Sequence, residues 1–354
     1  MVWRVILMVD LQKSFTSFHD KIRLNYEDNS LLKTYRDQVL DGLDKFLNIE
    51  QDFNSFVQGS YSVYTGIKSS DSNIDFDIDV ALAIDITREE YPNPVVVKKQ
   101  VRDAMFSTFS NSQVEIKNPC VTINFSDEDN EENVHVDIAV YANEDNNYFL
   151  ARGKEFSTSE NRCWEEADPK ELKNKINNFS INSEDRQQFR RCVRYLKRWK
   201  DKKFNQENRP TGIGITVLAL EKFQVNKTVD HFANTTTYND LQALTDFVNN
   251  LLNSFTHLIY DEKLEEFYYR IQAPLPVKPF SDTFCKMTAN QMIDFKNKLN
   301  SLHEDLKFAT QTLNEHEATK KLNKQFGDDF EVIPEEEVVE TSTRNAFVSD
   351  YPSA

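Results

Sequence analysis

The chain has 354 residues, of which 39% are hydrophobic and 28% charged, and its formal net charge is −16. This length fits one large domain or two of ordinary size, and the composition is typical of a globular protein in water. The acidic charge argues against a general nucleic-acid-binding protein, because neutralisation of phosphate charge dominates that kind of affinity.

Hydrophobic periodicity predicts a mixed α/β first half and a helical second half. The first nine residues, MVWRVILMV, are too few to span a bilayer and predict a strand. Further along, the first half is predicted to hold helices over 30–47 and 94–109 and strands over 74–86 and 134–141. A basic amphipathic helix is predicted over 183–203, followed by helices near 212–225, 238–252, 260–270 and 288–324.

The predicted organisation is a core over 1–160, a helical domain over 161–326 and an acidic flexible tail over 327–354. The four cysteines are scattered, with no C-x-x-C pair and no clustering with histidines. That pattern argues against a zinc site and predicts reduced, buried thiols. Reduced thiols are typical of the cytoplasm, which is where we expect the protein.

Two aspartates, Asp77 and Asp79, share one face of the predicted strand NIDFDIDVALAI. Carboxylates at this spacing, about 7 Å along a strand, are natural ligands of hard divalent cations. Asp137 lies inside the apolar strand VHVDIAVY and completes a three-carboxylate cluster if the strands are neighbours. The alternatives are that the two aspartates face water on a half-exposed sheet, or that the pair in use is Asp75 and Asp77.

The dipeptide Gly59-Ser60 precedes the aspartates by about 17 residues. A glycine at a turn lets backbone N–H groups approach a phosphate closely, and the serine adds a hydroxyl donor. Alone, Gly-Ser is also an ordinary turn. In combination with strand-borne carboxylates, it indicates a nucleotide site.

These stretches, QGSYSVYTGIK, DFDIDVAL and HVDIAVYA, resemble the polymerase-β-like nucleotidyltransferase superfamily. More closely, the chain is similar to the bacterial cGAS/DncV-like nucleotidyltransferases (CD-NTases) of CBASS anti-phage systems. Further similar stretches are LARGKEFSTSENRCWEEADPKEL and RPTGIGITVLAL, so the resemblance spans roughly residues 11–325. It implies an α+β fold, with a bilobed polymerase-β-like core containing a mixed sheet and a C-terminal helical domain.

The resemblance implies that Asp77, Asp79 and Asp137 are both the metal ligands and the catalytic residues. They would bind two Mg²⁺ ions, with Mn²⁺ as the alternative. This assignment selects the pair Asp77 and Asp79 over the pair Asp75 and Asp77. Asp137 would also help to activate the attacking ribose hydroxyl as a base. In two-metal phosphoryl transfer, one ion activates the nucleophile and the other stabilises the leaving pyrophosphate.

The resemblance also implies a nucleotide-binding set made of Gln58, Gly59, Ser60, Lys197 and Thr211. Gly59 and Ser60 would hold the donor triphosphate, which Lys197 would reach and to which Thr211 would donate a hydroxyl. From the residues alone, Thr211 is a helix cap.

Other residues of the site are left open by the sequence. On the basic helix, Arg190, Arg194 and Lys197 line one face, which could equally be a solvated surface. Lys200 is the rival of Lys197, since it falls nearer the apolar face. For stacking on a base, Tyr61 and Tyr64 are candidates, although either could be a core residue.

The function implied is synthesis of a cyclic di- or trinucleotide from NTPs, with pyrophosphate release, in anti-phage signalling. ATP and GTP are the leading substrates, UTP and CTP the others, and the cyclic product would act on a downstream effector. An E1/E2-like ancillary protein acting on Ala354 is a further expected partner. The acidic body, and the lack of a zinc-binding Cys/His insert, argue against activation by nucleic acid, and no membrane partner is expected. The alternatives are a nucleotidyltransferase with a linear product, such as an RNA-tailing or small-molecule-modifying enzyme, and a catalytically inactive nucleotide-binding protein.

Overall fold

The structure, a computed structural model, describes residues 9–24, 30–68, 74–109, 113–127 and 132–335. Its first half is built around a seven-stranded sheet. The strands are β1 (Phe53–Val57), β2 (Ile74–Ile84), β3 (Gln113–Ile116), β4 (Val121–Asp127), β5 (Glu132–Glu144), β6 (Asn147–Arg152) and β7 (Cys163–Ala167).

Parallel and antiparallel pairs both occur in this sheet. β2 and β5 run parallel at its centre, and β1 pairs antiparallel with the other edge of β2. The first part of β5 pairs with β4 and its last residues pair with β6, both antiparallel. β3 then pairs with β4, and β7 with β6. The predicted α+β class with a mixed sheet is confirmed.

Side chains alternate across β2 and β5 as predicted. One face of the sheet packs on α2 (Ser30–Phe46) and α4 (Pro94–Thr108), and buries the predicted apolar positions Ile78, Val80, Leu82, Ile84, Val136, Ile138 and Val140. The opposite face carries a smaller cluster around Ala81, Ala139 and Tyr141. Because the polar positions of both strands alternate with the buried ones, they belong to this second face.

Helix α4 shows how local sequence sets an element boundary. Asn93 precedes it and accepts a hydrogen bond from Val95 N at 3.1 Å, and Pro94 occupies the first turn. An Asn cap followed by proline is a favourable helix start, because proline lacks the N–H that would otherwise need a partner.

The remaining helices are α1 (Gln12–Ile22), α3 (Gly59–Ser62), α5 (Pro169–Asn177), α6 (Ser183–Lys203), α7 (Gly212–Lys222), α8 (Asp240–Asn253), α9 (Ala289–Gln311) and α10 (Glu315–Phe326), with a short 3₁₀ turn at Ser159–Asn161. α1 and α5 to α10 contribute to a second core. Phe15 and Phe18 of α1 lie 5.3 and 5.2 Å, between ring centroids, from Tyr195 of α6. Helix α1 therefore belongs to the helical core, although it precedes the sheet in the chain.

The predicted helix over 260–270 is wrong. The segment forms a hairpin of β10 (His257–Asp261) and β11 (Glu266–Arg270), and a second hairpin joins β8 (Lys227–Asp230) to β9 (Thr235–Tyr238). In β11 the residue Tyr268 is buried while Phe267 and Tyr269 are exposed, which is the two-residue period of a strand. Aromatic residues also favour strands.

The predicted helix over 288–324 is two helices, α9 and α10. The break falls at residues 312–314, where Asn314 accepts a hydrogen bond from Glu317 N at 3.0 Å. The Asn cap starts a new helix inside a continuous apolar pattern, which periodicity alone does not detect.

The predicted boundary at residue 160 falls inside the sheet. β7 pairs with β6 over the register Tyr148 to Ala167 through Arg152 to Cys163, so the sheet continues to Ala167. The division into a core over 1–160 and a helical domain over 161–326 stays a prediction. It assigns β7 to the helical domain, although β7 is a strand of the sheet.

The first residues of the predicted flexible tail pack on the helical core, which corrects the prediction for 327–335. Phe330 is fully buried, with its ring centroid 5.2 Å from those of Phe15 and Phe18. The carboxylate of Asp329 lies 3.2 Å from Arg198 Nε. An aromatic residue just after α10 thus fills a core position. The acidic composition of the surrounding segment gives no indication of this packing. Residues 336–354 lie outside the described residues.

The four cysteines are free, and the expectation of buried thiols is half right. Cys120 and Cys192 are buried, while Cys163 and Cys285 are exposed. Burial raises the pKa of the Cys120 thiol to about 12 and that of Cys192 well above its usual value. Both buried thiols are therefore protonated and unreactive at neutral pH.

None of the helices in the described ranges is both long and apolar enough to cross a membrane. Residues 1–8 of the predicted first strand lie outside the described residues, so that strand stays a prediction.

Substitution of Phe330 tests whether the base of the tail belongs to the core. We expect Phe330→Ala to lower the free energy of unfolding by about 3–5 kcal/mol, because it leaves a cavity among aromatic rings. The matched control is Phe232→Ala in the turn between β8 and β9, where the ring is fully exposed, and the change should stay within about 0.5 kcal/mol. Urea denaturation measures both, and equal stability of Phe330→Ala and the wild type would contradict this assignment.

Candidate active site

The parallel pairing of β2 and β5 brings two of the predicted aspartates together. Asp79 of β2 stands opposite Asp137 of β5, on neighbouring strands about 4.8 Å apart. Asp77 stands opposite His135 in the same register, and its side chain lies outside the described residues. The condition set by the sequence, that the two strands be neighbours, is met.

Gly59 lies directly against the carboxylate of Asp79. Its φ is +66°, and a Cβ atom at this position would lie 1.8 Å from Asp79 Oδ2. Gln58 N donates to Asp79 O at 3.0 Å, which ties the start of the turn to β2. Glycine is therefore required twice here, for its backbone conformation and for the close approach. The contact also places the Gly-Ser turn beside Asp79.

Asp137 is oriented by a residue that the sequence did not single out. Thr122 of β4, fully buried, stands opposite Asp137 and donates its hydroxyl to Asp137 Oδ1 at 2.5 Å. A hydroxyl donor to one carboxylate oxygen fixes the side-chain torsion. A second hydroxyl acts on the start of the Gly-Ser turn, since Tyr141 donates to Gln58 Oε1 at 3.0 Å.

The predicted basic face of α6 is largely buried, so the solvated-surface alternative is wrong for Arg194 and Lys197, while Arg190 is half-buried. Arg194, Lys197 and Arg198 are 7%, 7% and 1% exposed. Arg194 Nε donates to Gly66 O at 3.1 Å, and Arg198 Nη2 donates to Lys68 O at 3.0 Å. These bonds hold the chain segment that follows the Gly-Ser turn.

Lys197 makes the third contact between α6 and this segment. Its Nζ donates to Thr65 O at 3.1 Å and to Thr65 Oγ1 at 3.0 Å. Burial, together with the neighbouring charges of Lys200 and Arg194, lowers the pKa of Lys197 to about 7. Asp201 and Asp79 act in the opposite direction. The ammonium is thus close to losing its proton at neutral pH unless an anion binds nearby.

Its rival Lys200 is equally buried but differently engaged. Its Nζ lies 3.1 Å from Asp201 Oδ1. A carboxylate partner neutralises the charge of Lys200, whereas Lys197 contacts neutral oxygens. This difference favours Lys197 as the residue available to a phosphate.

The residue after Thr211, Gly212, lies next to Lys197 in space. A Cβ atom on Gly212 would lie 3.6 Å from Lys197 Cε. The predicted cap is confirmed, since Thr211 Oγ1 accepts from Gly214 N at 3.2 Å, and the hydroxyl also donates to Thr283 O at 3.4 Å. The start of α7 therefore borders the same space as Lys197.

The two candidate stacking residues occupy different environments. Tyr61 is half-buried against the sheet core, and its hydroxyl accepts from Arg36 Nη1 at 3.3 Å. Tyr64 has φ +57° and is 49% exposed, with its ring 4.7 Å from the Arg190 guanidinium. Tyr64 is the one whose ring is accessible.

The residues present fit a hard divalent cation. Asp79 and Asp137 are carboxylates in register on adjacent strands, and carboxylate oxygens are the donors that Mg²⁺ prefers. Among the side chains that the structure describes, no group of three metal-binding residues gathers. The third ligand of the predicted set, Asp77, belongs to the residues whose side chains are not described.

Comparison with known proteins identifies the sheet half. A family model described as the nucleotidyltransferase domain of DncV-like cyclic GMP-AMP synthases matches residues 54–141, the span from β1 to Tyr141 that holds the turn and all three aspartates. Over this span, the chain is similar to the DncV-like nucleotidyltransferases. A curated relative, the cyclic GMP-AMP synthase of Escherichia albertii, is 30% identical over 176 residues, which are 48% of this chain. The match spans about a third of that relative, 35% of its length.

Solved structures of DncV-like nucleotidyltransferases share the fold over nearly the whole chain. Vibrio cholerae DncV in complex with the linear intermediate 5′ pppA(3′,5′)pG is similar with a TM-score of 0.65 and 18% identity, covering 92% of this chain and 97% of that one. CdnC of E. coli MS115-1 with ATP is similar with a TM-score of 0.63 and 18% identity, covering 91% and 99%. At this identity, the likeness shows the fold.

Sequence reasoning missed Thr122, Thr65 and Tyr141, which contact the predicted site residues. Thr122 had a usable signal, because it alternates with Val121 and Ile123 and so lies on the polar face of β4. Thr65 had none, since its contact with Lys197 joins residues far apart in sequence.

Replacement of Gly59 tests the close approach between the turn and β2. Gly59→Ala should lose about 1–2 kcal/mol of folding stability from the left-handed backbone alone, and should displace the Asp79 carboxylate. Gly212→Ala is the matched control, because its Cβ would meet an ordinary contact at 3.6 Å, and it should not destabilise the fold. Urea denaturation measures the first effect, and a Gly59→Ala midpoint equal to that of the wild type would refute the clash.

Proposed function

We propose that this chain is a metal-dependent nucleotidyltransferase that joins nucleoside triphosphates into a cyclic di- or trinucleotide. The observation that carries the proposal is the register of β2 and β5, which sets Asp79 opposite Asp137, beside the turn of Gly59 and Ser60. The match of this region to DncV-like synthases, and the name of the curated relative, support a cyclic product.

In the proposed mechanism, the triphosphate of the donor nucleotide lies between the turn and α6. Gly59 and Ser60 contact it from the sheet side, together with Gln58, and Lys197 and Thr211 from the helical side. Lys197 supplies positive charge that its own partner, Thr65, leaves unneutralised. Two groups on opposite sides of a phosphate chain restrict its orientation, which lowers the entropic part of the barrier.

Asp137 is proposed to accept the proton of the attacking ribose hydroxyl. That oxygen bonds to the α-phosphorus of the donor, the bond from this phosphorus to the bridging oxygen breaks, and pyrophosphate leaves. Thr122 holds one oxygen of Asp137, so the carboxylate presents a fixed direction to the hydroxyl. The cations, proposed as two Mg²⁺ held by Asp77, Asp79 and Asp137, would lower the charge repulsion in this step when bound.

Ring closure needs the same step again within the linear product. The Vibrio cholerae relative was captured with a linear intermediate, which supports successive transfers at one site. The exposed ring of Tyr64, stacked near Arg190, is proposed to contact a base at the mouth of this site.

The setting of the reaction is also a proposal. By its resemblance to CBASS synthases, the chain would act in cytoplasmic anti-phage signalling, and its product would act on a downstream effector. An E1/E2-like protein acting on Ala354 would be a further partner. ATP and GTP are the proposed substrates, since relatives of this fold are described with ATP and with a product of both bases.

The nature of the product tests this function directly. We expect incubation with Mg²⁺ and the four labelled NTPs to give a product that survives phosphatase, because a ring has no terminal phosphate. Mass spectrometry of that product identifies its bases and ring size. A product that phosphatase degrades would mean a linear-product enzyme, and no product at all would indicate the inactive nucleotide-binding alternative.

Variants of the carboxylates connect that product to the proposed site. The double variant Asp77→Asn/Asp79→Asn and the single variant Asp137→Asn should each lose at least about a hundredfold in rate, because they remove metal-binding charge worth several kcal/mol. Asp44→Asn, at an exposed position of α2, is the control and should retain the wild-type rate. Unchanged synthesis in the carboxylate variants would exclude the proposed metal site.

The titration of Lys197 gives a pH dependence of definite sign. Its ammonium is charged below a pKa of about 7 in the free protein and neutral above it, and the charged form binds an anion more tightly. The affinity for ATP should therefore fall as the pH rises from about 6 to 9.

The comparison with Lys197→Met isolates this contribution, because the titration of the nucleotide itself is common to both proteins. The ratio of wild-type to Lys197→Met affinity should decrease steadily over the same range, as measured by calorimetric titration. A ratio that stays constant with pH would show that Lys197 does not contact the phosphates.

A further inference from the structure

Thr65 provides two hydrogen-bond acceptors for the ammonium of Lys197. Its carbonyl and its hydroxyl accept from Lys197 Nζ at 3.1 and 3.0 Å. Thr65 is fully buried and Lys197 is 7% exposed, so solvent does not compete for these bonds. An ammonium has three N–H donors. Within the described part of the chain, two of them are directed to Thr65, which leaves the third for a ligand.

The neutrality of these acceptors matters for a phosphate site. A carboxylate would hold the lysine equally well but would cancel its charge, as Asp201 does for Lys200. Threonine oxygens fix the direction of the ammonium without bringing a negative charge that would offset its own. The like charge of Arg194 acts on the same ammonium, so an anion gains further attraction there.

Thr65 is itself held in place from both halves of the molecule. Its N–H donates to Ser60 O at 3.1 Å, which closes the Gly-Ser turn. The next carbonyl, Gly66 O, accepts from Arg194 Nε at 3.1 Å and from Leu24 N at 3.3 Å. Movement of Thr65 would therefore require both the turn and the segment after it to shift. The residue connects the two groups proposed to contact the triphosphate, Ser60 and Lys197.

We propose that Thr65 is a positioning residue, which directs the Lys197 ammonium toward the phosphates of the donor nucleotide and fixes its position relative to the Gly-Ser turn. This inference rests on the proposed function for the identity of the ligand. Thr65 acts through Lys197 and does not touch the substrate. Its hydroxyl is the part that distinguishes threonine from other residues of the same size, because the carbonyl is common to all.

The proposal predicts a specific order of variants. Thr65→Val keeps the size, the branching and the carbonyl but removes the hydroxyl, while Thr65→Ser keeps the hydroxyl and removes a methyl group. The control is Thr245→Val in α8, a buried threonine whose hydroxyl donates to one helix carbonyl, Leu241 O, at 2.7 Å. Both valine variants lose one buried hydroxyl bond, but Thr65→Val alone loses a bond to an ammonium.

Inorganic tripolyphosphate is the probe, because it isolates the phosphate contacts from base recognition and from chemistry. We expect Thr65→Val to weaken its binding about tenfold in calorimetric titration, in line with loss of a hydrogen bond to a charged group. Thr65→Ser should bind within about twofold of the wild type, and Thr245→Val should be unchanged. With ATP as substrate, the loss in Thr65→Val should appear as a higher KM with little change in kcat.

A double-mutant cycle separates positioning from a general packing effect. In the Lys197→Met background, Thr65→Val should cause no further loss of tripolyphosphate binding, because the ammonium it directs is gone. Additive losses, equal losses in Thr65→Ser and Thr65→Val, or no tripolyphosphate binding by the wild type would each overturn the proposal. If the expected order holds while the wild type makes no phosphatase-resistant product, the proposed function fails and the role of Thr65 stands.

Discussion

Three buried basic side chains of α6 bond to backbone carbonyls of residues 65–68, and this contact joins the two halves of the molecule. Arg194, Lys197 and Arg198 donate to Gly66, Thr65 and Lys68. Buried cations need acceptors, and backbone carbonyls that a loop leaves unpaired need donors, so each group satisfies the other. The segment after the Gly-Ser turn is therefore fixed to the helical core rather than to the sheet that precedes it.

The proposed catalytic arrangement depends on that attachment. In the sheet, the pairing of β2 with β5 brings Asp79 and Asp137 together. This register is strongly fixed, because a slip of one residue would move every side chain of a strand to the opposite face of the sheet. The Gly-Ser turn links this central part of the sheet, through Asp79, to the segment held by α6. A phosphate bound at the turn would therefore lie between two independently stabilised cores, which is how a rigid scaffold can present groups from distant parts of a chain.

The sequence was sufficient for the parts of this arrangement that follow from short-range periodicity. The two-residue alternation of β2 and β5 placed their faces correctly, and the basic helix over 183–203 has those bounds in the structure. It was insufficient where a single capping residue ends one helix and starts another within a continuous helical pattern, as Asn314 does between α9 and α10. It also failed where an apolar run is too short to distinguish a strand from a helix, as in β11. The burial of Arg194, and the contact of Lys197 with Thr65, depend on chain segments about 130 residues apart, and no local pattern contains that information.

Phe330 has a geometric consequence for the far end of the chain. Because its ring packs among Phe15, Phe18 and Phe326, the described chain after α10 is anchored at a fixed point beside α1 and α10. Measured from residue 335, residues 336–354 can reach at most about 65 Å even when fully extended. Ala354 is thus tethered, and any protein that handles it must approach within this radius. A protein bound at Ala354 would therefore be held at a high effective concentration near the folded body, which favours a second contact there.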